Sequence, residues 1–379
     1  MPFAWNDLGA GPADDEIEVS VFGPGFGECI VVHVGGGEWL TVDSCIDSTD
    51  QDDPRPVAER YLRAIGVSPE TQVKFIVASH WHDDHVRGLA RLVDICRNAR
   101  FSCANSLVKR EFIAFVEAMG TGTAATDGAK VKEFRQIVRL LASDKSRLPI
   151  RYATGSRELI SWHTPPLPHG KPVTLRSLSP SDHELALFLE RIARELPTHG
   201  QPKRASSDST PNLVSVVLHL DLGVTSILLG ADMEIHNDTR RGWTAVLEDA
   251  KTSNTARASL FKVAHHGSST GHHDQAWAQM LDVDPMFIVT PFNKLPIGKK
   301  LPTKADVERI RAFGRLFLTG SVEAAGRSKS KDAAVGRSLK ENGIVIRELR
   351  TPLGLVRMRR GTGPHDGWNA QVFAPASEV

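Results

Sequence analysis

His80-Trp81-His82-Asp83-Asp84-His85 stands at the end of the apolar run Val73-Lys74-Phe75-Ile76-Val77-Ala78. The run reads as a buried strand, so the hexamer, H-x-H-x-D-H, falls where a strand leaves its sheet. Three imidazoles and a carboxylate in so short a space are poor packing material. Neutral imidazole and carboxylate are instead ligands that suit Zn, Mn or Fe, and this spacing fits two adjacent ions.

Three further segments repeat the arrangement of an apolar strand ending in a metal-type side chain. Ile227-Leu228-Leu229-Gly230-Ala231-Asp232 ends in a carboxylate. Phe261-Lys262-Val263-Ala264-His265-His266-Gly267-Ser268 runs into two imidazoles, and Trp39-Leu40-Thr41-Val42-Asp43-Ser44 into another Asp. Strand ends on one edge of a sheet converge on one cleft. Phe261, Val263 and His265 share a face of an extended chain, which favours His265 over His266 as a ligand.

The order Asp43, H-x-H-x-D-H, Asp232, His265 resembles the metallo-β-lactamase superfamily. Within it, several stretches resemble the metallo-hydrolase domain of the competence protein ComEC and its soluble relatives. They are Phe22-Gly23 through Gly27-Glu28-Cys29, Leu178-Ser179-Pro180, Asn212 to Leu218, Leu229 to Asp232, and His265-His266-Gly267-Ser268. The resemblance covers roughly residues 17–292. It implies an α/β fold, an αββα four-layer sandwich with metals at one edge of two packed sheets. By position it implies His80 and His82 on a first ion, Asp84, His85 and His265 on a second, and Asp232 bridging both. Asp84, Asp232 and His265 are the implied catalytic residues. Asp43 would orient a ligand imidazole, His266 would touch substrate or support a ligand, and Asn212 and Ser268 would shape the pocket.

One position departs from the superfamily pattern, in which many members place another His on the first ion. Here Thr210-Pro211-Asn212 stands before the strand, and His163, His169, His183, His199 and His219 are the remaining candidates. His219 sits in an apolar strand, where a packed or solvent-facing histidine is the commoner outcome. His272-His273 follow a glycine and suit a helix cap or the surface. Trp81 either packs over the site or stacks on a base or sugar.

Along the chain, 17–22 alternates as a half-buried strand does, and 29–34 with 39–42 reads as a hairpin around Gly35-Gly36-Gly37. Helical patterns cover 56–65, 86–99, 106–119, 131–145, 184–195 and 304–313. Strand patterns cover 173–178, 213–220, 225–229, 260–264 and 287–290, with a closing hairpin from 344–349 and 354–358. The segment 197–211 is the most loop-like. Strands and helices mix throughout, which predicts one domain over 14–360 with a helical insertion near 100–170, and a C-terminal tail over 361–379.

The chain has 379 residues, 24% of them charged and 41% hydrophobic, as in a soluble globular protein. No run of 18 apolar residues suggests a membrane span, and the start lacks the features of a signal peptide. Cys29, Cys45, Cys96 and Cys103 form no C-x-x-C pair, which predicts reduced thiols and a cytoplasmic location. The net charge of +1 hides an asymmetry. Residues 1–60 hold 13 Asp/Glu and 2 Arg, whereas residues 294–360 hold 17 Lys/Arg and 6 Asp/Glu. The basic region either steers a polyanion to the site or is solvated surface that pairs with the acidic one.

These features point to a metal-dependent hydrolase with two divalent ions, Zn or Mn, that activates a hydroxide between them. A phosphodiesterase or nuclease acting on DNA or RNA is the first expectation. The basic segment and Lys203-Arg204 would contact a phosphate backbone. A small-molecule phosphodiester or ester hydrolase is the alternative, and a metal-binding module acting through a protein partner is the third. The bridging carboxylate argues against the third, since a purely structural site needs none.

Overall fold

The computed structural model describes residues 3–23, 27–47, 54–120, 129–162, 172–196, 211–292, 300–321, 352–363 and 365–379. They form two eight-stranded mixed sheets with helices packed against them. The first sheet runs Asn369–Phe373, Gly354–Gly361, Glu16–Gly23, Cys29–His33, Trp39–Val42, Val73–Val77, Arg100–Ala104, Arg151–Ala153. The second runs Ser377–Glu378, Arg315–Leu318, Leu281–Val289, Ala258–Lys262, Ser226–Leu229, Leu218–Asp221, Val173–Ser177, Arg157–Trp162.

Period-two alternation explains the layering. In the second sheet Ile227, Leu229, Leu260, Ile288 and Phe317 join the core shared with the first sheet. Their neighbours Leu228, Phe261, Phe287, Leu316 and Leu318 face the other way. There they meet Trp243, Val246 and Leu247 of helix Gly242–Thr252, and Ala276 and Trp277 of helix Asp274–Met280. On the first sheet, helix Val57–Ala64 packs against strand Cys29–His33. This is the α/β sandwich that the family resemblance implies.

The first sheet is antiparallel on one side and parallel on the other, and the second differs only in an antiparallel edge strand, Ser377–Glu378, beyond its parallel side. Trp39–Val42, Val73–Val77 and Arg100–Ala104 are parallel neighbours in the first sheet. Ser226–Leu229, Ala258–Lys262 and Leu281–Val289 are parallel neighbours in the second. Parallel strands end together, and a cleft at their carboxyl ends is the usual ligand site of α/β sheets. Val42 pairs with Val77, and Leu229 with Lys262, so Asp43, the histidine hexamer, Asp232 and His265-His266 all emerge at such ends.

Several elements differ from the sequence reading. The helix expected over 86–99 is two pieces, Asp83–Val86 and Leu89–Ile95, separated by Gly88 at φ +79°. Residues 213–217 are not strand. Pro211–Val214 is a 3-10 turn, and the Val216 amide donates to the Ser79 carbonyl (2.8 Å), tying the second sheet to the metal-motif loop of the first. The insertion contains helices Arg110–Gly120 and Ala129–Ser143, followed by strands Arg151–Ala153 and Arg157–Trp162 that enter both sheets. Residues expected as a tail supply an edge strand to each sheet, Asn369–Phe373 and Ser377–Glu378. Accordingly Gly354–Gly361 pairs with Glu16–Gly23 and Asn369–Phe373. Residues 344–349, most of 197–211 including Lys203-Arg204, and much of the basic segment lie outside the described residues. Among the described residues, no helix is long and apolar enough to cross a membrane.

Candidate metal centre

Asp43 is the first organiser of the site. It is buried at φ +61°, just past its strand, and accepts three hydrogen bonds. The Ser79 amide donates to Oδ1 (2.7 Å), and the Ser79 hydroxyl (2.6 Å) and His85 Nδ1 (2.7 Å) donate to Oδ2. With its proton committed to Asp43, Ser79 Oγ accepts from His80 Nδ1 at 3.0 Å. His266 Nδ1 donates to the Thr290 carbonyl at 2.9 Å. All three rings thus carry their proton on Nδ1, and their Nε2 lone pairs are left to converge on one space.

Two carboxylates occupy that space. Asp232 Oδ2 lies 3.5 Å from His80 Nε2 and 4.0 Å from His82 Nδ1. Its Oδ1 lies 3.6 Å from His85 Nε2 and 3.8 Å from His266 Nε2. Asp84 Oδ2 is 3.6 Å from His85 Nε2 and 3.3 Å from His266 Nε2. Asp232 therefore divides its oxygens between two imidazole pairs. His80, His85 and Asp232 form one group that could hold a cation, and Asp84, His85 and His266 another.

The electrostatics fit such a cation. Burial opposes charge on His85, yet Asp232, Asp43 and Asp84 outweigh it and raise its pKa to about 10. Burial also pushes both carboxyls up, but His266 and His85 hold Asp84 and Asp232 well below the usual range. His82 goes the other way, lowered to about 4 by burial and then by His80. His85 Nε2, His266 Nε2 and Asp232 Oδ1 are buried without a hydrogen-bond partner. Buried polar atoms left unpaired are costly, and a divalent cation would satisfy all three.

The geometry departs from expectation at His265 and His266. His265 Nδ1 turns to Glu234 Oε1 (3.0 Å) and Thr270 Oγ1 (2.9 Å), whereas His266 Nε2 enters the cluster. Strand alternation cannot reach this pair because the strand ends at Lys262. His265 (φ +48°) and His266 (φ +53°) are both left-handed, which reverses the face each side chain takes. Burial disfavours charge on His265, but Glu234 and then Asp232 raise its pKa.

Other expected residues fall variously. Asn212 lines a cleft beside the site, and Ser268 Oγ accepts from the Thr270 amide, capping the turn that carries Thr270. His183 contacts Asp238, and His219 Nε2 donates to the Ala256 carbonyl, so neither joins His80 and His82. His163, His169 and His199 lie outside the described residues. His273 caps its helix by accepting from the Ala276 amide. Trp81 is buried against Phe112, Phe115 and Phe188, the packing alternative.

Four residues escaped the sequence reading as parts of the site: Ser79, Glu28, Thr290 and Lys262. Lys262 lies in an apolar strand in phase with Leu260, so its amine faces the interior between the sheets. It meets Glu28 Oε2 at 2.6 Å, and Thr290 Oγ1 donates to the same oxygen. A lone Lys in one apolar strand and a lone Glu at the start of another were the available signal.

Among solved structures, the chain is similar to the metallo-β-lactamase fold protein YhfI from Bacillus subtilis (11% identity, TM-score 0.37), over 79% of this chain and 94% of that one. It is also similar to Zn(2+)-bound PqqB from Methylobacterium extorquens (13%, TM-score 0.36), over 76% and 84%. A metallo-β-lactamase from Cronobacter sakazakii matches at 16% identity and TM-score 0.32, over 66% and 77%. No curated protein matches the sequence. Residues 22–118, which hold Asp43 and the histidine hexamer, match the family model described as Metallo-beta-lactamase superfamily. With two mixed sheets meeting at a His/Asp cluster, and with residues 22–118 matching that family model, the chain has the metallo-β-lactamase fold.

Proposed function

We propose that this protein is a metal-dependent phosphodiesterase, a nuclease in particular, working with two divalent ions, Zn or Mn. The observation that carries the reading is the division of Asp232, with Oδ2 toward His80 and His82 and Oδ1 toward His85 and His266. A carboxylate so placed suits a bridge between two cations. His80, His82 and Asp232 would hold one, and Asp84, His85, His266 and Asp232 the other. Paired divalent ions supply Lewis acidity toward a phosphoryl oxygen and lower the pKa of water.

The chain's own residues do the rest. Asp43 and Ser79 engage the Nδ1 atoms of His85 and His80, so each of these rings can present an Nε2 lone pair to a cation. Asp84 and Asp232 stay ionised and can orient a water by accepting its hydrogens. His265, held by Glu234 and partly exposed, stands at the rim facing the solvent side. Four free, buried cysteines agree with a reducing, cytoplasmic setting.

The test is cleavage of labelled single- and double-stranded DNA and RNA with added Mn²⁺ or Zn²⁺, beside Asp232→Asn. Cleavage by the wild type that is lost in the variant supports the reading. A metal-loaded wild type that cleaves no phosphodiester overturns it.

A further inference from the structure

A cleft of about 200 Å³ opens beside the cluster. Its lining includes Glu234, two residues past Asp232, together with Glu184, Arg191, Asn212, His236 and Arg241. Arg191 comes from helix Asp182–Glu195, and Arg241 caps the start of helix Gly242–Thr252. His236 lies on the loop that joins Asp232 to that cap. The segment that delivers the bridging carboxylate therefore also forms one wall of the cleft.

The two carboxylates of the lining are already engaged. Glu184 Oε1 accepts from the Gly242 amide (2.9 Å) and Oε2 from the Ser181 amide (3.2 Å). Glu234 Oε1 takes His265 Nδ1 and Thr270 Oγ1. The basic groups are not so engaged. Arg241 Nε is buried with no hydrogen-bond partner, as is Asn212 Oδ1. Among the described residues, no carboxylate forms an ion pair with Arg191 or Arg241. Burial and then Arg241 lower the pKa of His236 against the pull of Glu234 and Asp238, which favours a neutral ring able to donate a hydrogen bond. Glu184 and Asp238 act on Arg241 only through space, without a direct ion pair, and a guanidinium with donors to spare suits a phosphate.

We propose that Arg191, His236 and Arg241 form an anion subsite that takes the phosphate next to the scissile one, so that the substrate is an oligonucleotide rather than an isolated diester. This rests on the phosphodiesterase reading above. The subsite would lower KM for any substrate that carries a neighbouring phosphate, without regard to base.

The experiment compares the metal-loaded wild type on bis(p-nitrophenyl) phosphate, on the dinucleotide TpT, and on its phosphorylated forms pTpT and TpTp, with the uridine counterparts run alongside. At least one phosphorylated form should show a KM lower by about tenfold, the scale of a charge-assisted hydrogen bond. That advantage should shrink severalfold in Arg191→Gln, an exposed position, and vanish in Arg191→Gln/Arg241→Gln. In parallel, calorimetric titration of inorganic phosphate into chelator-treated protein should show binding by the wild type that weakens in Arg191→Gln. If bis(p-nitrophenyl) phosphate and TpT are cleaved but the added phosphate changes no KM, the subsite is overturned and the diesterase reading stands. If no diester is cleaved, the diesterase reading falls and takes this assignment with it, whatever the phosphate titration gives.

Discussion

Lys262 Nζ lies 2.6 Å from Glu28 Oε2 between the two sheets, with each side chain only 1% exposed. The pair closes a chain of contacts that ends in the candidate metal centre. Thr290 Oγ1 donates to Glu28, the Thr290 carbonyl receives His266 Nδ1, and the Glu28 amide donates to the Asp84 carbonyl (2.8 Å). Burial pushes the Glu28 carboxyl up, but Lys262, then His85 and His266, hold it below its usual value. An ion pair thus fixes an imidazole from the protein interior.

Removing one member of this pair should cost far more than removing both. Lys262→Met leaves Glu28 buried and uncompensated, a loss of about 3–5 kcal/mol. Glu28→Gln/Lys262→Met should recover much of that loss. Chemical denaturation of the chelator-treated single and double variants measures the difference, and equal stabilities would contradict it.

His265 and His266 should separate cleanly in metal content. His266→Ala removes an Nε2 placed 3.3 Å from Asp84 and should lose bound metal after dialysis. His265→Ala, whose ring turns to Glu234, should retain it. Elemental analysis of the purified proteins decides, and a metal-depleted His265→Ala with a replete His266→Ala would reverse the assignment.

Asp43→Asn should weaken metal binding without unfolding the protein. The amide has a single acceptor oxygen, so it cannot take the Ser79 amide on one side and Ser79 Oγ with His85 Nδ1 on the other, as the carboxylate does. Loss of a group that orients a ligand imidazole typically lowers metal affinity about 10–100-fold. Competition with a chromophoric chelator would register the change, and unaltered affinity would deny Asp43 this role.

Part of the acid sensitivity should come from outside the metal centre. His33 Nε2 accepts from the Gly37 amide (3.0 Å), so the ring is neutral, with Nδ1 donating to the Glu16 carbonyl (2.9 Å). Burial holds its pKa below 6.5 against the pull of Glu16, and burial lowers that of His219 too. Both rings bind a proton more weakly folded than unfolded. Their contribution is therefore complete above 6.5 and declines as pH falls through the unfolded value toward the folded one. Denaturation midpoints between about pH 7.5 and 5.5 should fall, and less steeply in His33→Gln. An identical slope in the variant would remove His33 from this account.

The sequence by itself determines the parts of the site that depend on local order. Asp43, His80, His82, Asp84, His85 and Asp232 are legible because each follows an apolar strand within a few residues, and a strand end places its next side chains at a sheet edge. A layered α/β domain is legible in the mixture of apolar strand and amphipathic helix patterns, while the two-sheet sandwich is legible only through the family resemblance. Tertiary structure alone decides the rest. That the ring of His266 rather than His265 turns into the cluster depends on two left-handed residues that no alternation pattern contains. The union of Glu28 with Lys262, and of Arg191 with Arg241, brings together segments far apart in the chain. Hydrogen-bond partners, burial and charge compensation become defined only when the sheets close on one another.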